Sequence, residues 1–464
     1  MSRRAVLIGL DCASPRLLFG PLASVMPRLT ALRKRGVHGA LRSCTPPITI
    51  PAWACMLSGR DPGELGLYGF RELDHGSYAM RVASAESMCA PWVWELARKA
   101  GKRTAALFVP LTYPVKPTAD VLVSCLLTPT GDSEHTHPPS LAAELREPFG
   151  PYQPDVEAFR HADPLAVVAE LRAMTTHRFA VARHVWASER PDLMTMVDIG
   201  IDRLHHVLWR SLDTTDPNCD PDPIKRSAAL GYLAHADREL GRLLEALGDD
   251  VSIIVASDHG ARPLRGAIAI NEWLIDKGYL VLDQPRPSQP TPLAQLAVDW
   301  SRTRAWAEGG YYARVYLNVA GRNPRGPIAS AAYERERSAL ASEIARIAGP
   351  SGAPMFHRIE TPEGLYRARN GAPPDLLVFF GDLDYRAAGT IGHGRLHLPH
   401  NDTGADACNH DWDGLFVHAG PRVAPSAAAQ AWSIFDVTRT LLGALEIEAP
   451  AKLLGRDRNS SPPL

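Results

Sequence analysis

The sequence predicts an α/β fold, a doubly wound and mostly parallel sheet sandwiched by helices. Short apolar runs without polar alternation recur along the chain, which is typical of strands buried on both faces of a parallel sheet. Segments whose apolar residues recur at helical spacing separate these runs, and this alternation favours a doubly wound architecture. With 464 residues, of which 45% are hydrophobic, the chain has enough apolar material for a large core.

The predicted elements alternate along the chain. Apolar runs predict strands at 5–10, 103–110, 193–200, 252–257, 375–380 and 414–420. Helical spacing predicts helices at 24–35, 90–100, 164–187, 225–247, 330–348 and 432–445. A proline-rich stretch, DQPRPSQPTP, follows Leu282, and strand-like sequence resumes at Asp375. We therefore expect a core of residues 1–282 and 373–464, with an insertion or cap-like smaller subdomain at 283–372.

Composition excludes several classes of partner. The formal net charge is −1 without a long basic block, which argues against nucleic acid as an obligate partner. The seven cysteines are scattered, odd in number and never spaced as CxxC, which indicates reduced thiols in the cytoplasm. The apolar run before Asp11 is too short for a signal-peptide core, and no run approaches the roughly 18 apolar residues that span a membrane. The sequence therefore predicts a soluble, cytoplasmic protein with no membrane partner.

Polar side chains follow two of the predicted strands. Asp11 comes directly after the first strand, in LIGLDC, and Asp258 and His259 follow the fourth, in IIVASDHG. Open α/β sheets bind ligands at the carboxyl ends of their strands, so these residues are candidate ligands. The alternative is structural, because aspartate at a strand end also caps helices and forms turns.

A second candidate group follows the third strand, in MVDIGIDRLHH. Asp202 and His206 are four residues apart and therefore share one face of a helix, although a surface pair of this spacing is the alternative. His205 is the rival to His206, which aligns better with Asp202. His410 lies just before the last predicted strand. Together, three aspartates and three histidines suit Zn²⁺ or Mn²⁺, and two such ions about 4 Å apart would clamp a phosphoryl group in transfer.

The stretch TPPITIPAWACMLSG at 45–59 supplies a candidate nucleophile. Thr49 stands two residues before Pro51, which we expect at the first position of a helix that ends at Gly59. At this place a hydroxyl either caps the helix or attacks phosphorus beside the positive end of the helix dipole.

These motifs, in this order, resemble the alkaline phosphatase superfamily and, within it, the type I phosphodiesterase/nucleotide pyrophosphatase family. The resemblance covers nearly the whole chain, and it predicts an alkaline-phosphatase-like core. It is carried by GLDCASPRLL (9–18), PPITIPAWACMLSGRDPGELGLYGF (46–70), DRLHHVLW (202–209), ASDHG (256–260), YLNVAGRNPRG (316–326), PPDLLVFFGDL (373–383) and NDTGADACNHDWDGLFV (401–417).

The resemblance implies a phosphoester hydrolase with two divalent metal ions, Zn²⁺ or alternatively Mn²⁺, acting on a small-molecule phosphate ester through a covalent phosphothreonine at Thr49. One ion would be held by Asp11, Thr49, Asp258 and His259. The other would be held by Asp202, His206 and His410. Many nucleotide pyrophosphatases carry an asparagine after the proline, where it donates to a phosphoryl oxygen, but this chain has Ala52 followed by Trp53.

Several alternatives exist on the same fold. A phosphomutase or a phosphonate or phosphomonoester hydrolase would keep the metal residues, whereas a sulfatase would need cysteine or serine in place of Thr49. A non-catalytic metal-binding homologue is the alternative from another class, and the competent residues at all seven positions weigh against it.

Overall fold

The computed structural model describes residues 3–157, 159–404, 406–426 and 429–459. The described residues form two compact units. The first comprises Met1–Leu65, Ala83–Ala261 and His410–Leu464, and the second comprises Gly66–Val82 and Arg262–Asn409. Within the described ranges, no helix is long and apolar enough to cross a membrane.

The strands, in chain order, are β1 (Arg4–Leu10), β2 (Val37–Arg42), β3 (Arg71–Leu73), β4 (Met80–Val82), β5 (Thr104–Leu107), β6 (Val121–Val123), β7 (Thr136–His137), β8 (Leu193–Asp198), β9 (Val251–Ala256), β10 (Gly260–Pro263), β11 (Ala267–Ala269), β12 (Ala305–Glu308), β13 (Ala313–Leu317), β14 (His357–Glu360), β15 (Leu376–Phe380), β16 (Arg386–Ala388), β17 (His397–Leu398), β18 (Cys408–Asp411), β19 (Asp413–Ala419) and β20 (Trp432–Ser433). The helices are α1 (Pro15–Leu18), α2 (Pro27–Lys34), α3 (Thr49–Ser58), α4 (Pro62–Leu65), α5 (Val93–Lys99), α6 (Leu141–Phe149), α7 (Pro164–Glu189), α8 (Gly200–Leu212), α9 (Pro223–Leu247), α10 (Ile270–Asp276), α11 (Tyr333–Ile344), α12 (Pro362–Leu365) and α13 (Asp436–Ala444). Short 3₁₀ turns lie at Leu293–Gln295, Ser330–Ala332 and Gly381–Leu383.

The first unit is built on one large sheet with strand order β20-β2-β19-β9-β1-β8-β5-β6-β7. The strands β9, β1, β8, β5 and β6 run parallel, whereas β19 is antiparallel to both of its neighbours. The prediction of a mostly parallel, doubly wound sheet flanked by helices is confirmed. In the parallel register Leu10 pairs with Asp198 and Gly9 pairs with Ala256, so the carboxyl ends of β8, β1 and β9 meet at one edge.

The core of this unit explains why the central strands lack polar alternation. Nearly every residue of β1, β5 and β8 is buried, because helices cover the sheet. The long helices α7 and α9 pack against each other and both pack against α8, while α13 packs against α3 and β1. The six predicted helices all form, with ends shifted by at most a few residues.

The second unit has its own hydrophobic core and its own sheets. Its largest sheet has the order β12-β13-β15-β14 with antiparallel pairing throughout. The run at 375–380, expected as a strand of the main sheet, belongs to this antiparallel sheet instead, because β15 pairs with β13 and β14 on its two sides. Residues 283–372 lie within this unit. Their role as an insertion or cap on a catalytic core stays a prediction.

Candidate active site

The seven residues singled out in the sequence all lie in the first unit, and each is buried. Two loops and two helices carry most of them. Asp11 directly follows β1, Asp258 and His259 follow β9, and α8 begins two residues before Asp202. The other three residues are His206 in α8, His410 in β18 and Thr49 at the start of α3.

The first group gathers around one imidazole nitrogen. The Nε2 atom of His259 lies 3.3 Å from the Thr49 hydroxyl oxygen, 3.2 Å from Oδ2 of Asp258 and 3.7 Å from Oδ1 of Asp11. The structure therefore brings together the four residues that were expected to share one ion.

The second group gathers around one carboxylate oxygen. Oδ1 of Asp202 lies 3.3 Å from Nε2 of His206, one helical turn away, and 3.7 Å from Nε2 of His410. The neighbouring His205 points elsewhere, with its Nδ1 3.1 Å from the backbone oxygen of Cys12. The three residues expected to hold the other ion are thus also adjacent.

The two groups adjoin each other. The imidazole rings of His259 and His410 stack with their centroids 3.6 Å apart. One ligand atom each from Asp11, Asp202 and His259 lies within 4.8 Å of the others. Ions held by the two groups would therefore be close neighbours, as metal pairs that act on phosphate esters are.

Backbone carbonyls fix the tautomers of two of these histidines. Nδ1 of His259 lies 3.0 Å from the Gly260 oxygen, and Nδ1 of His410 lies 2.9 Å from the Pro47 oxygen. A carbonyl oxygen only accepts hydrogen bonds, so each Nδ1 carries a proton. In the neutral ring, Nε2 then has a lone pair, as in metal-bound histidines whose other nitrogen donates to a backbone oxygen.

The carboxylate oxygens near these Nε2 atoms also have lone pairs. Among the described residues, no donor makes a hydrogen bond of good geometry to Oδ1 of Asp11, Oδ1 of Asp202 or Oδ2 of Asp258, although all three atoms are buried. Buried polar atoms normally have a partner, and a divalent cation would supply it here. Nitrogen and carboxylate donors of this kind suit Zn²⁺ and Mn²⁺.

The other oxygen of each aspartate is held by an N–H donor. The Trp53 indole donates to Oδ2 of Asp11 at 2.7 Å, and the Arg203 guanidinium donates to Oδ2 of Asp202 at 2.6 Å. The backbone N–H of Cys12 donates to Oδ1 of Asp258 at 3.3 Å.

Sequence reasoning missed both side-chain donors. The only sequence feature that could have pointed to Arg203 is its position next to Asp202. This position was not informative, because adjacent residues in a helix do not share a face. The Trp53 contact joins residues 42 positions apart, which only the fold reveals.

Burial disfavours negative charge on two of the three aspartates. Burial, reinforced by the nearby Asp202, raises the pKa of Asp11 to about 8. Burial and the neighbouring Asp11 raise the pKa of Asp258 well above its usual range. Burial acts in the same direction on Asp202, but His206 and Arg203 outweigh it and hold its pKa well below the usual range. Burial lowers the pKa of His259 to about 4, which favours the neutral ring.

The helix that presents Thr49 begins earlier than the sequence indicated. Its first residue is Thr49 itself, so Pro51 occupies the third helical position instead of the first. Both positions tolerate proline, because the first four N–H groups of a helix have no partner within it. The predicted end at Gly59 is confirmed, with the left-handed φ of 65° that favours glycine. The Thr49 hydroxyl therefore lies at the positive end of a ten-residue helix.

Comparison with known proteins identifies the family. The family model for type I phosphodiesterase/nucleotide pyrophosphatase matches residues 5–406. No curated protein sequence matches the chain. Among solved structures, phosphonoacetate hydrolase from Sinorhizobium meliloti 1021, in complex with phosphonoacetate, is similar with a TM-score of 0.62 and 17% identity, covering 96% of both chains.

Two further solved structures are of ectonucleotide pyrophosphatase/phosphodiesterase 5. An inactive murine form with one threonine replaced by alanine, in complex with AMP, is similar with a TM-score of 0.57 and 14% identity, covering 97% of this chain and 96% of that chain. The human protein is similar with a TM-score of 0.56 and 15% identity at the same coverage. These similarities show that the chain shares the fold of these structures. The family-model match over most of the chain shows that it belongs to the type I phosphodiesterase/nucleotide pyrophosphatase family of metal-dependent phosphoester hydrolases.

Proposed function

We propose that this protein hydrolyses small-molecule phosphate esters, with Thr49 as the nucleophile and two divalent cations bound in its site. The observation that carries the proposal is the position of the Thr49 hydroxyl, 3.3 Å from Nε2 of His259 and at the start of α3. One hydroxyl thus lies at a helix N-terminus and beside an imidazole that faces two unsatisfied carboxylate oxygens. These features suit a nucleophile better than a simple helix cap.

Asp11, Thr49, Asp258 and His259 would hold one cation, and Asp202, His206 and His410 would hold the other. Zn²⁺ is the expected ion and Mn²⁺ the alternative. When bound, the ions would lower the pKa of the Thr49 hydroxyl and offset the negative charge of the substrate. Three aspartates and one alkoxide offset two dications, so the loaded site would be roughly neutral toward an anionic ester.

The reaction would proceed in two displacements. In the first, the Thr49 oxygen forms a bond to phosphorus, its proton passes to solvent, and the bond from phosphorus to the leaving oxygen breaks. The leaving group takes up a proton and departs as an alcohol or nucleotide. In the second, water attacks the phosphothreonine, the bond from phosphorus to the threonine oxygen breaks, and Thr49 regains its proton. One water molecule is consumed in each cycle.

Two features of α3 would assist the first displacement. Its N-terminal N–H groups and dipole favour negative charge at the phosphoryl group. Its burial, which includes every residue from Thr49 to Ser58, would limit the movement of the hydroxyl. The murine structural neighbour that is inactive with a threonine replaced by alanine supports a threonine in this role.

A phosphonate hydrolase is the second candidate. Phosphonoacetate hydrolase is among the structural neighbours, and Ala52 lacks the amide that many nucleotide pyrophosphatases place there. The next residue, Trp53, directs its indole N–H to Asp11, so it does not replace that amide.

The scattered cysteines further lead us to propose a reducing, cytoplasmic setting.

The test is a substrate panel with matched variants. Wild-type protein, Thr49→Ser and Thr49→Ala are loaded with Zn²⁺ or Mn²⁺ and assayed on aryl phosphodiesters, phosphomonoesters, nucleotide sugars and phosphonoacetate. We expect Thr49→Ala to lose at least about a thousandfold in kcat and Thr49→Ser to retain measurable turnover, since serine keeps the hydroxyl. Full activity of Thr49→Ala on every substrate hydrolysed by the wild type would refute the nucleophile.

A further inference from the structure

Each aspartate of the site has one oxygen held by the protein and one oxygen left unsatisfied. For Asp11 and Asp202 the holding donor is a side chain, from Trp53 and Arg203 respectively. A donor that holds one oxygen fixes the orientation of the carboxylate, so Oδ1 of Asp11 stays directed at His259 and Oδ1 of Asp202 stays directed at His206. Rotating the carboxylate away would break that hydrogen bond and leave a buried donor without an acceptor, which is unfavourable.

We propose that Trp53 and Arg203 are positioning residues, which fix Asp11 and Asp202 so that each offers a single oxygen to a divalent cation. This role rests on the metal sites of the proposed function. It assigns a task to Trp53, the residue that follows Ala52 where related enzymes place an amide donor.

Trp53 is suited to hold Asp11 because its ring is closely packed. Its side chain is fully buried in α3, and the distance of 2.7 Å from Nε1 to Oδ2 of Asp11 is short for an N–H donor. Gly9, two residues before Asp11, leaves space for the ring, since a Cβ there would lie 2.4 Å from Cη2 of Trp53. The helix that presents Thr49 therefore also orients Asp11.

Arg203 is held in turn by Asp155. Its Nε lies 3.0 Å from Oδ1 and its Nη2 lies 2.5 Å from Oδ2 of that carboxylate, a two-pronged pairing that leaves Nη1 directed at Asp202. The side chain of Arg203 is 9% exposed and that of Asp155 is 23% exposed, so solvent screens the contact only in part. The fork of an arginine fixes direction in a way that lysine does not.

The segment around Asp155 is itself anchored in the first unit. Arg178, buried in α7, donates through Nη2 to the Pro154 oxygen at 2.6 Å. The Tyr152 hydroxyl donates to the Ser124 oxygen at 2.8 Å. A chain of partly buried contacts thus leads from α7 through the segment around Asp155 to Arg203, which holds Oδ2 of Asp202.

The test compares two variants with two matched controls. Trp53→Phe removes the indole donor to Asp11, and Trp94→Phe removes an equally buried indole that donates to Thr118 at 3.2 Å in the same unit. Asp155→Asn weakens the pairing with Arg203, and Asp120→Asn weakens a more exposed aspartate–arginine pairing, with Arg98, in the same unit. The Zn²⁺ and Mn²⁺ dissociation constants are measured by chelator competition, and the melting temperature of each metal-free protein is measured alongside.

We expect Trp53→Phe and Asp155→Asn to weaken binding of Zn²⁺ by roughly tenfold to hundredfold, and Trp94→Phe and Asp120→Asn to change it by less than about twofold. Wild-type affinity in both test variants would overturn the role, and so would an equal loss in the controls. If Trp53→Phe does not fold, Asp155→Asn decides, because it changes a partly exposed side chain. A wild-type protein that binds neither ion would refute the proposed function itself, whereas a wild type that binds both ions with unaffected variants refutes only the positioning role.

Discussion

The hydroxyl oxygen of Thr49 lies 3.3 Å from Nε2 of His259, on the side of the imidazole that carries its lone pair. The opposite nitrogen donates to the Gly260 oxygen, so this relationship is fixed by the backbone and does not depend on a rotamer choice alone. The Thr49 hydroxyl, an imidazole and two aspartates therefore lie together. Pre-organisation of this kind would limit the reorganisation that the proposed reaction requires.

Metal removal should destabilise the protein. One buried carboxylate oxygen on each of Asp11, Asp202 and Asp258 accepts no hydrogen bond of good geometry from the described residues, so an ion that binds these oxygens would stabilise the folded state by mass action. At a free Zn²⁺ concentration about a hundredfold above the dissociation constant, we expect the free energy of unfolding to rise by about 3 kcal/mol for each ion. Thermal unfolding with and without chelator checks this, and coincident curves for chelated, Zn²⁺-loaded and Mn²⁺-loaded protein would contradict it.

Substitutions of the adjacent histidines His205 and His206 should differ in their effect on the number of metal ions bound per chain. His206 faces Asp202, whereas Nδ1 of His205 donates to the Cys12 oxygen, and both rings are fully buried. We expect His206→Gln to retain one tightly held ion per chain and His205→Gln to retain two, as measured by elemental analysis after gel filtration. Loss of an ion in His205→Gln alone would show that the wrong histidine has been assigned.

A methyl group at Gly9 should displace Trp53. The added Cβ would lie 2.4 Å from the Trp53 ring, 2.9 Å from Cγ2 of Val197 and 3.0 Å from the Met196 oxygen. Overpacking of this kind costs about 1–3 kcal/mol, and the displaced indole would loosen its hold on Asp11. We expect Gly9→Ala to lower both the free energy of unfolding in denaturant and the affinity for Zn²⁺. The control is Gly364→Ala, where the nearest atom within reach lies 3.6 Å away, and equal behaviour of the two variants would contradict the prediction.

Stability should fall on acidification in part through His418. Burial, reinforced by Arg422, lowers the pKa of His418 to about 4, and its Nε2 lies 2.9 Å from the Ser252 hydroxyl. The unfolded chain takes up this proton below about pH 6.5, whereas the folded chain resists it until about pH 4. The stabilisation is therefore present above pH 6.5 and is lost as the pH falls toward 4, by about 3 kcal/mol in total. The free energy of unfolding of His418→Gln should depend less on pH across this window, and parallel curves for the two proteins would contradict the assignment.

The sequence is sufficient to predict strands and helices in segments where one hydrophobic periodicity dominates. Unbroken apolar runs at 5–10 and 193–200 are enough to place β1 and β8, because only strands covered on both faces tolerate them. The same reasoning assigned 375–380 to the wrong sheet, since a fully buried antiparallel strand has the same apolar sequence as a parallel one. Pairing partners depend on contacts distant in sequence, which periodicity does not contain.

The sequence also identifies the candidate metal-ligand residues, but it does not identify the contacts that orient them. Asp11, Asp258 and His259 can be placed at strand ends because strand ends share one edge of a parallel sheet. The contacts of Trp53 with Asp11 and of Asp155 with Arg203 span 42 and 48 residues, and no local pattern marks them. Tautomers are equally invisible in sequence, since the carbonyl oxygens of Gly260 and Pro47 set them.

The central claim is that Thr49 carries the phosphoryl group during turnover. The most direct measurement is acid quenching of the Zn²⁺-loaded enzyme during hydrolysis of an aryl phosphodiester, followed by peptide mass spectrometry of the segment around Thr49. We predict a phosphoryl-bearing adduct on Thr49 in the wild type, and none in Thr49→Ala. Active wild-type enzyme whose Thr49 peptide stays unmodified at every quench time, with water attacking the substrate directly by isotope labelling, would contradict the account.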